Sequence, residues 1–342
     1  MRTRIVVLAL MATSTGLLHA SDFPQTEIGN SQIKVKLCLP DRNTGFYRGT
    51  RFDWSAVIFS LEYAGHDFYG PWFDQERADV HDFIYEGNQV VAGPCSAIAG
   101  PVNEFGELGW DEAKAGGTFL KIGVGVLRKP ATGPAAYDHY TLYDIVDDGH
   151  WSTTHGHDWV EFEQQVSDAA SGYGYQYRKR VRVARERARM LLEHHLRNTG
   201  KRPIHTDVYN HNFLVLDHQP PGPDFLISVP FQIHSPHPPD AQLAEIRGNR
   251  IVYLKALTDR DTVATPIEGF GASADDHQIT IENSRLKVGM KIKTDRPLAS
   301  FSLWSIRTVL SLEPFVALNL KPGEEFTWTT TYDYYTPGAA AK

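Results

Sequence analysis

The sequence predicts an all-β protein built as one large β-sandwich with few short helices. Three observations carry this. Apolar residues recur at every second position in a series of short segments. Gly, Pro and Asn interrupt those segments at intervals of roughly 8–15 residues, the rhythm of a sandwich rather than of alternating strands and helices. The chain of 342 residues is also 42% hydrophobic and 11% aromatic, enough apolar surface to offset the entropy of ordering, which excludes a disordered protein.

In chain order, residues 32–39 place Ile33, Val35 and Leu37 on one face, and Val57, Phe59 and Leu61 repeat the pattern before Gly65. Residues 118–127 read as a single strand holding Phe119, Ile122, Val124 and Val126 between glycines. Further strands are expected at 158–166, 173–183, 208–216, 225–233, 278–282, 286–293, 299–304 and 325–335. Residues 178–197 admit two readings. Their composition favours a helix capped at Asn198-Thr199-Gly200. The alternative is a hairpin of strands 175–183 and 190–196 turning at 185–187. The hairpin is preferred, and the seven basic residues from Arg178 to Arg189 then form a solvated strand face. With no internal repeat and no low-complexity linker, one domain is expected over 21–335, followed by a flexible tail at 336–342.

The N-terminus has the order of an export signal. Arg2 and Arg4 precede an apolar run from Ile5 to about Leu18, and Ala20 offers a cleavage site before Ser21. Residues 1–20 therefore read as a signal peptide and the protein as secreted or periplasmic. No later apolar run approaches the roughly 18–20 residues of a membrane span, so no membrane association is expected after cleavage. The formal charge of −7, with 34 Lys+Arg against 41 Asp+Glu, argues against a nucleic-acid partner. Cys38 and Cys95 are the only cysteines, and the sequence leaves open one disulfide or two buried thiols.

Two short segments concentrate the chemistry. Residues 203–217, PIHTDVYNHNFLVLD, alternate so that His211 faces opposite to Asn210 and Asn212. Ser311-Leu312-Glu313-Pro314 places a carboxylate in an otherwise apolar stretch. It is followed by a Pro322-Gly323-Glu324 turn and the aromatic, Thr-rich run 327–335. These segments, in this order, resemble the galactose mutarotase-like (aldose 1-epimerase) superfamily. Its histidine strand carries an Asn-His-x-aromatic-Phe type motif, and its glutamate lies in a Leu-Glu-x-Gln/Pro motif. The stretch RGTRFDWSAVIFSLEYAGHDFYGPWF, Arg48 to Phe73, is similar to secreted members.

The resemblance implies a supersandwich fold, with strands and an Asn-x-Gly turn just before the histidine strand, which is why the hairpin is preferred. It implies that Glu313 is a general base and His211 a general acid that open a sugar ring and let it reclose as the other anomer. A carboxylate and an imidazole suit those two proton transfers, and no cofactor is needed. The implied ligand is a carbohydrate, mono- or oligosaccharide.

The chain departs from the family pattern at two places. A His-Gly-Gly segment is matched by Ala115-Gly116-Gly117, without the histidine. A Gly-Arg-x-x-Asn-Arg segment is matched by residues 100–106, without arginine. Asn103 and Glu104 are the expected replacements as hydroxyl partners, with Arg48 or Arg51 supplying the charge and Asn210 joining them. His157 is the candidate for the lost histidine. His155 and His157 also have a two-ligand metal spacing, but no metal site is expected. Among the aromatic residues, Trp304 has the best case for stacking on a sugar, because its strand neighbours Glu313 in the family. The leading expectation is an exported aldose 1-epimerase-like enzyme. The alternatives are a non-catalytic carbohydrate-binding protein, or a polysaccharide lyase in which His211 or Tyr209 abstracts a proton while Arg48 and Arg51 hold an acidic substrate.

Overall fold

The computed structural model describes residues 23–133 and 136–338. The expected signal peptide and the last residues of the tail lie outside the described residues. Two antiparallel sheets dominate. The larger has ten strands in the order His150–His155, Trp159–Ser167, Gly174–Val183, Arg189–Asn198, Glu325–Tyr335, Val288–Thr294, Gln278–Asn283, Phe225–Ser228, Arg250–Tyr253 and Ala244–Arg247. The smaller has five: Thr262–Pro266, Ser300–Ile306, Val309–Leu320, Ile204–Phe213 and Gly100–Phe105. Three small sheets precede residue 148, and loops join the strands throughout the described residues. Their helical content is two single 3-10 turns, Leu216–His218 and Ala274–Asp276.

The sheets pack face to face. Leu303, Leu312 and Phe301 from the five-stranded sheet meet Ile279, Ile292 and Tyr332 from the ten-stranded sheet in one buried cluster. Phe105, Val208 and Leu318 meet Tyr177, Leu196 and Trp328 in another. A third cluster lies on the other face of the five-stranded sheet, where Phe52, Trp54 and Trp72 from the early loops and Phe119 from a small sheet cover Val102, Phe213 and Ile306. The five-stranded sheet is thus covered on both sides, and its strands are apolar or specifically paired on both faces.

The hairpin reading of 178–197 is what the structure shows. Gly174–Val183 pairs with Arg189–Asn198 in an unbroken register from Tyr175↔Asn198 to Val183↔Met190. Tertiary burial overrides helix propensity, because alternate residues from Tyr175 to Leu196 enter the inter-sheet core. The basic face is exposed only in part. Arg180 pairs with Glu161 (2.9 Å), Arg182 with Glu193 (2.8 Å) and Arg189 with Asp333 through two hydrogen bonds of 2.6 and 2.9 Å. Lys179 departs from the expected solvated face. It is fully buried against Asp53, Nζ to Oδ2 3.2 Å, with both side chains 0% exposed.

Other expectations shift at turns. Residues 118–127 form two strands, Thr118–Lys121 and Gly125–Arg128, folded back at Gly123. Gly123 has φ +83°, and a Cβ there would lie 2.6 Å from Asp53 Cβ, so the turn and the contact both require glycine. The strand at 225–233 stops at Ser228, and that at 208–216 stops at Phe213. The motif at 311–314 lies inside the strand Val309–Leu320, the longest among the described residues, although a proline is unusual in a central strand. Cys38 and Cys95 are buried free thiols.

Candidate active site

A cavity of 620 Å³ opens on the outer face of the five-stranded sheet, and all five strands contribute to its wall. The pleat decides which residues do so. On Ile204–Phe213, Tyr209, His211 and Phe213 face the cavity, while Asn210 and Asn212 point between the sheets. Glu313 and Phe315 come from the neighbouring strand, Ser302 and Trp304 from the next, and Glu104 from the opposite edge. The early loops add Arg51, Trp72, Asp82, His139 and Tyr140.

Pro314 explains why the centre of this wall is open to side-chain chemistry. Val309–Leu320 pairs with Ile204–Phe213 from Ile204↔Leu320 to Tyr209↔Phe315, and contact resumes in the same register at Leu214↔Leu310. The N–H of Ala299 donates to the Phe315 carbonyl, so the backbone of Phe315 faces Ser300–Ile306. By alternation, that of Pro314 faces the histidine strand. There it has no N–H to give, and the ladder parts. The register carried through the gap sets His211 directly opposite Glu313. Asn212 fills the gap from the other face, its side-chain amide donating to the carbonyls of Leu312 (2.7 Å) and Asn210 (3.1 Å).

His211 and Glu313 are in direct contact, Nε2 to Oε1 3.2 Å. His211 Nδ1 lies 2.7 Å from Ser311 Oγ, and the ring stacks on Phe213 with centroids 3.7 Å apart. The Trp304 ring meets it edge-on at 5.8 Å. Ser302 Oγ donates to Glu313 Oε2 at 3.0 Å. Burial pushes the Glu313 carboxyl up to about 7, because one serine hydroxyl and a distant Arg51 compensate only part of its desolvation. Burial likewise holds His211 well below the usual imidazole range, with the Arg51 charge adding to it. An acid and a base in contact, displaced toward each other's range, can exchange a proton without solvent.

Glu104 is a different carboxylate. Arg51 Nε donates to it at 2.7 Å and Tyr209 Oη at 2.5 Å, while His139 Nδ1 lies 3.1 Å away and Lys121 Nζ 3.6 Å away. Its burial would raise its pKa, but Arg51 and Lys121 together hold it well below the ordinary carboxylate range. It stays ionised and occupied, and acts as the anchor that fixes Arg51 and Tyr209 in the wall.

The structure therefore brings together Glu313, His211, Arg51, Glu104 and Trp304, and separates four other candidates. Arg48 is exposed and donates to the Asn43 carbonyl at 2.8 Å, away from the cavity. His157 is exposed in the turn that follows His150–His155, so His155 and His157 do not share a strand face. Among the described residues no group of three or more His, Cys, Asp or Glu could hold a metal ion. Asn103 and Asn210 bond to each other behind the cavity, and Asn210 Nδ2 also donates to Tyr332 Oη at 2.9 Å across the sheets. Pleat alternation already forbids Asn210 from sharing the face of His211. Ser302, Ser311 and His139 were not singled out in the sequence. Ser302 and Ser311 had a signal, since each lies on a strand in register with the catalytic candidates. His139 had none, being placed by a loop.

No family model matches the sequence, and no curated protein matches it at sequence level. Solved structures do match the fold over nearly the whole chain. A galactose mutarotase related enzyme from Lactobacillus acidophilus superposes with a TM-score of 0.52 at 14% identity, covering 93% of this chain and 99% of its own. An aldose epimerase homologue from C. elegans gives 0.51 at 13% identity, with 91% and 98% covered. A galactose mutarotase-like protein from Lactobacillus casei gives 0.50 at 12%, with 91% and 100% covered. The chain has the galactose mutarotase-like fold. The likeness extends through both sheets, and within this fold the cavity occupies the outer face of the five-stranded sheet.

Proposed function

We propose that this chain is an exported aldose 1-epimerase-like enzyme that interconverts the anomers of a sugar held against the five-stranded sheet. The observation that carries the reading is the 3.2 Å contact between His211 Nε2 and Glu313 Oε1 at the floor of a cavity walled by aromatic rings. The anomeric hydroxyl and the ring oxygen are bonded to the same carbon, so the groups that serve them must be neighbours. A proton passed from Glu313 to His211 Nε2 leaves a carboxylate base beside an imidazolium acid. The carboxylate takes the hydroxyl proton and a C=O bond forms at C1. The bond from C1 to the ring oxygen breaks, and its electron pair on that oxygen accepts the proton of His211. Rotation about C1–C2 and the reverse steps close the ring on the other face.

Ser311 holds the imidazole in plane, Ser302 orients the carboxyl, and Trp304 with Trp72 and Phe315 offers apolar surface to the sugar ring. Polarimetry of freshly dissolved aldoses tests the reading. Wild type is expected to speed the approach to the equilibrium rotation of at least one sugar, and Glu313→Gln to lose that acceleration. Equilibration at the buffer rate with wild type across a panel of aldoses would refute it.

A further inference from the structure

A second cavity of 540 Å³ lies at the end of the same sheet. It is lined by Tyr85, Arg260, Arg307 and Thr308, among others. Arg260 precedes the strand Thr262–Pro266, and Arg307 lies in the turn that joins Ser300–Ile306 to Val309–Leu320. These strands lead directly from the first cavity, since Ala264 pairs with Trp304 and Ser302 pairs with Glu313. From Ser302 to Arg307 the strand advances on the order of 16 Å at about 3.3 Å per residue. A monosaccharide seated at His211 and Glu313 cannot reach that far, but a short oligosaccharide can.

Three half-buried rings packed edge to face span the interval. Trp304 is followed by Phe83 at 5.9 Å and Phe83 by Tyr85 at 5.7 Å, centroid to centroid. Phe83 and Tyr85 share one face of the strand Phe83–Glu86, and both are only half-buried. At the far end the Arg307 guanidinium lies 4.5 Å and that of Arg260 5.9 Å from the Tyr85 ring centroid. Among the described residues no carboxylate forms an ion pair with either. Arg307 donates to the carbonyls of Asn88 and Asp259, and the nearby Asp261 is taken by Lys255 at 3.0 Å. Asp259 is the one acid in the cavity wall, which leaves an excess of positive charge. Thr308 Oγ1 is buried in the same wall without a hydrogen-bond partner, a polar group awaiting one.

We infer that the surface between the two cavities, along Trp304, Phe83 and Tyr85, binds an oligosaccharide whose reducing end occupies the first cavity and whose distal residue carries an anionic substituent held by Arg260 and Arg307. The inference deepens the mutarotase reading, on which the placement of the reducing end rests. The exposed parts of the half-buried rings offer apolar surface to the sugars, and the two guanidinium groups take a carboxylate or sulfate through charge-assisted hydrogen bonds. The first cavity does not offer this, because its one arginine, Arg51, is already committed to Glu104.

The test is calorimetric titration of full-length Glu313→Gln, which binds without turnover, with three probes: a tetramer of galacturonate, a sulfated tetramer and neutral cellotetraose. One or both acidic tetramers are expected to bind about tenfold or more tighter than the neutral one, with an affinity that falls as salt rises. Adding Arg260→Ala and Arg307→Ala should remove that preference, and which acidic probe leads identifies the substituent. Equal binding of all three probes, or an acidic preference that survives both arginine substitutions, overturns the inference. Circular dichroism of each variant separates loss of binding from loss of fold. Polarimetry of wild type on free monosaccharides reads the mutarotase activity alone, so the two readings fail independently.

Discussion

Glu313 makes the sharpest thermodynamic prediction. Its carboxyl is raised from an ordinary 4.5 to about 7, chiefly by burial. Below pH 4.5 the group is protonated in both the folded and the unfolded chain and contributes nothing to pH dependence. Between 4.5 and 7 the unfolded chain releases the proton and the folded chain keeps it, so stability falls as pH rises. Above 7 the loss is complete. The interval corresponds to about 3 kcal/mol, at roughly 1.4 kcal/mol per pH unit. Glu313→Gln keeps the shape and can still accept from Ser302, but it cannot ionise. The variant should therefore gain about 3 kcal/mol on wild type between pH 4 and pH 8.5, read from urea denaturation at several pH values. His211 touches Glu313, so the two titrate as a pair and the difference reads the pair's coupled titration. A wild-type-minus-variant difference that stays flat across this range would refute the claim that Glu313 is held protonated by its site. The same substitution abolishes the proposed activity, so the stabilised protein is expected to be the inactive one.

Three further outcomes follow from the site and its supports. Ser311→Ala removes the partner of His211 Nδ1 without touching the sugar. It should lower kcat by roughly fivefold with KM nearly unchanged, the worth of one orienting hydrogen bond of about 1 kcal/mol. Glu104→Gln leaves Arg51 and Lys121 buried without their counter-charge, and denaturation should show a loss of about 3–5 kcal/mol. Lys179→Met, which strands Asp53 in the core, should cost a similar amount, on the order of 3–5 kcal/mol. Combining it with Asp53→Asn should recover most of that loss in thermal melts, whereas an additive loss would show that the ion pair is not what joins the early loops to the large sheet.

Much of the fold was legible because alternation and turn residues are local signals. The strand Glu325–Tyr335 has the bounds read from the sequence. The hairpin at Gly174–Asn198 was legible only through resemblance, since its composition alone favours a helix. Lys179 shows where local reading fails. Alternation puts it on the inward face with Tyr177 and Val181, but nothing near it in sequence supplies a counter-ion, because Asp53 lies 126 positions away. The two ends of the candidate acid–base pair were visible as motifs, but the four separated candidates show the limits of short patterns. Arg48 and Arg51 sit three residues apart in one loop, and only its backbone path decides that the second enters the cavity. Asn210 was excluded by the same pleat that exposes His211, an inference the sequence itself supports.

The parting of strands at Pro314 has a mechanical consequence. In an ordinary sheet interior a side chain is aimed by its own backbone, which the ladder on either side holds rigid. At His211 one of those ladders is missing, and its place is taken by a bridge of side chains. Tyr332 Oη donates to Asn212 Oδ1 at 2.7 Å and accepts from Asn210 Nδ2 at 2.9 Å. The aim of the imidazole is therefore set partly by a phenol from the opposite sheet. That phenol works like a stay that braces a mast from another deck. The two sheets are coupled at the site as well as through their shared core. Removing one oxygen atom on the far side of the sandwich, in Tyr332→Phe, should loosen the histidine strand where its neighbour cannot hold it. Faster amide exchange from Asn210 to Phe213 would record that loosening.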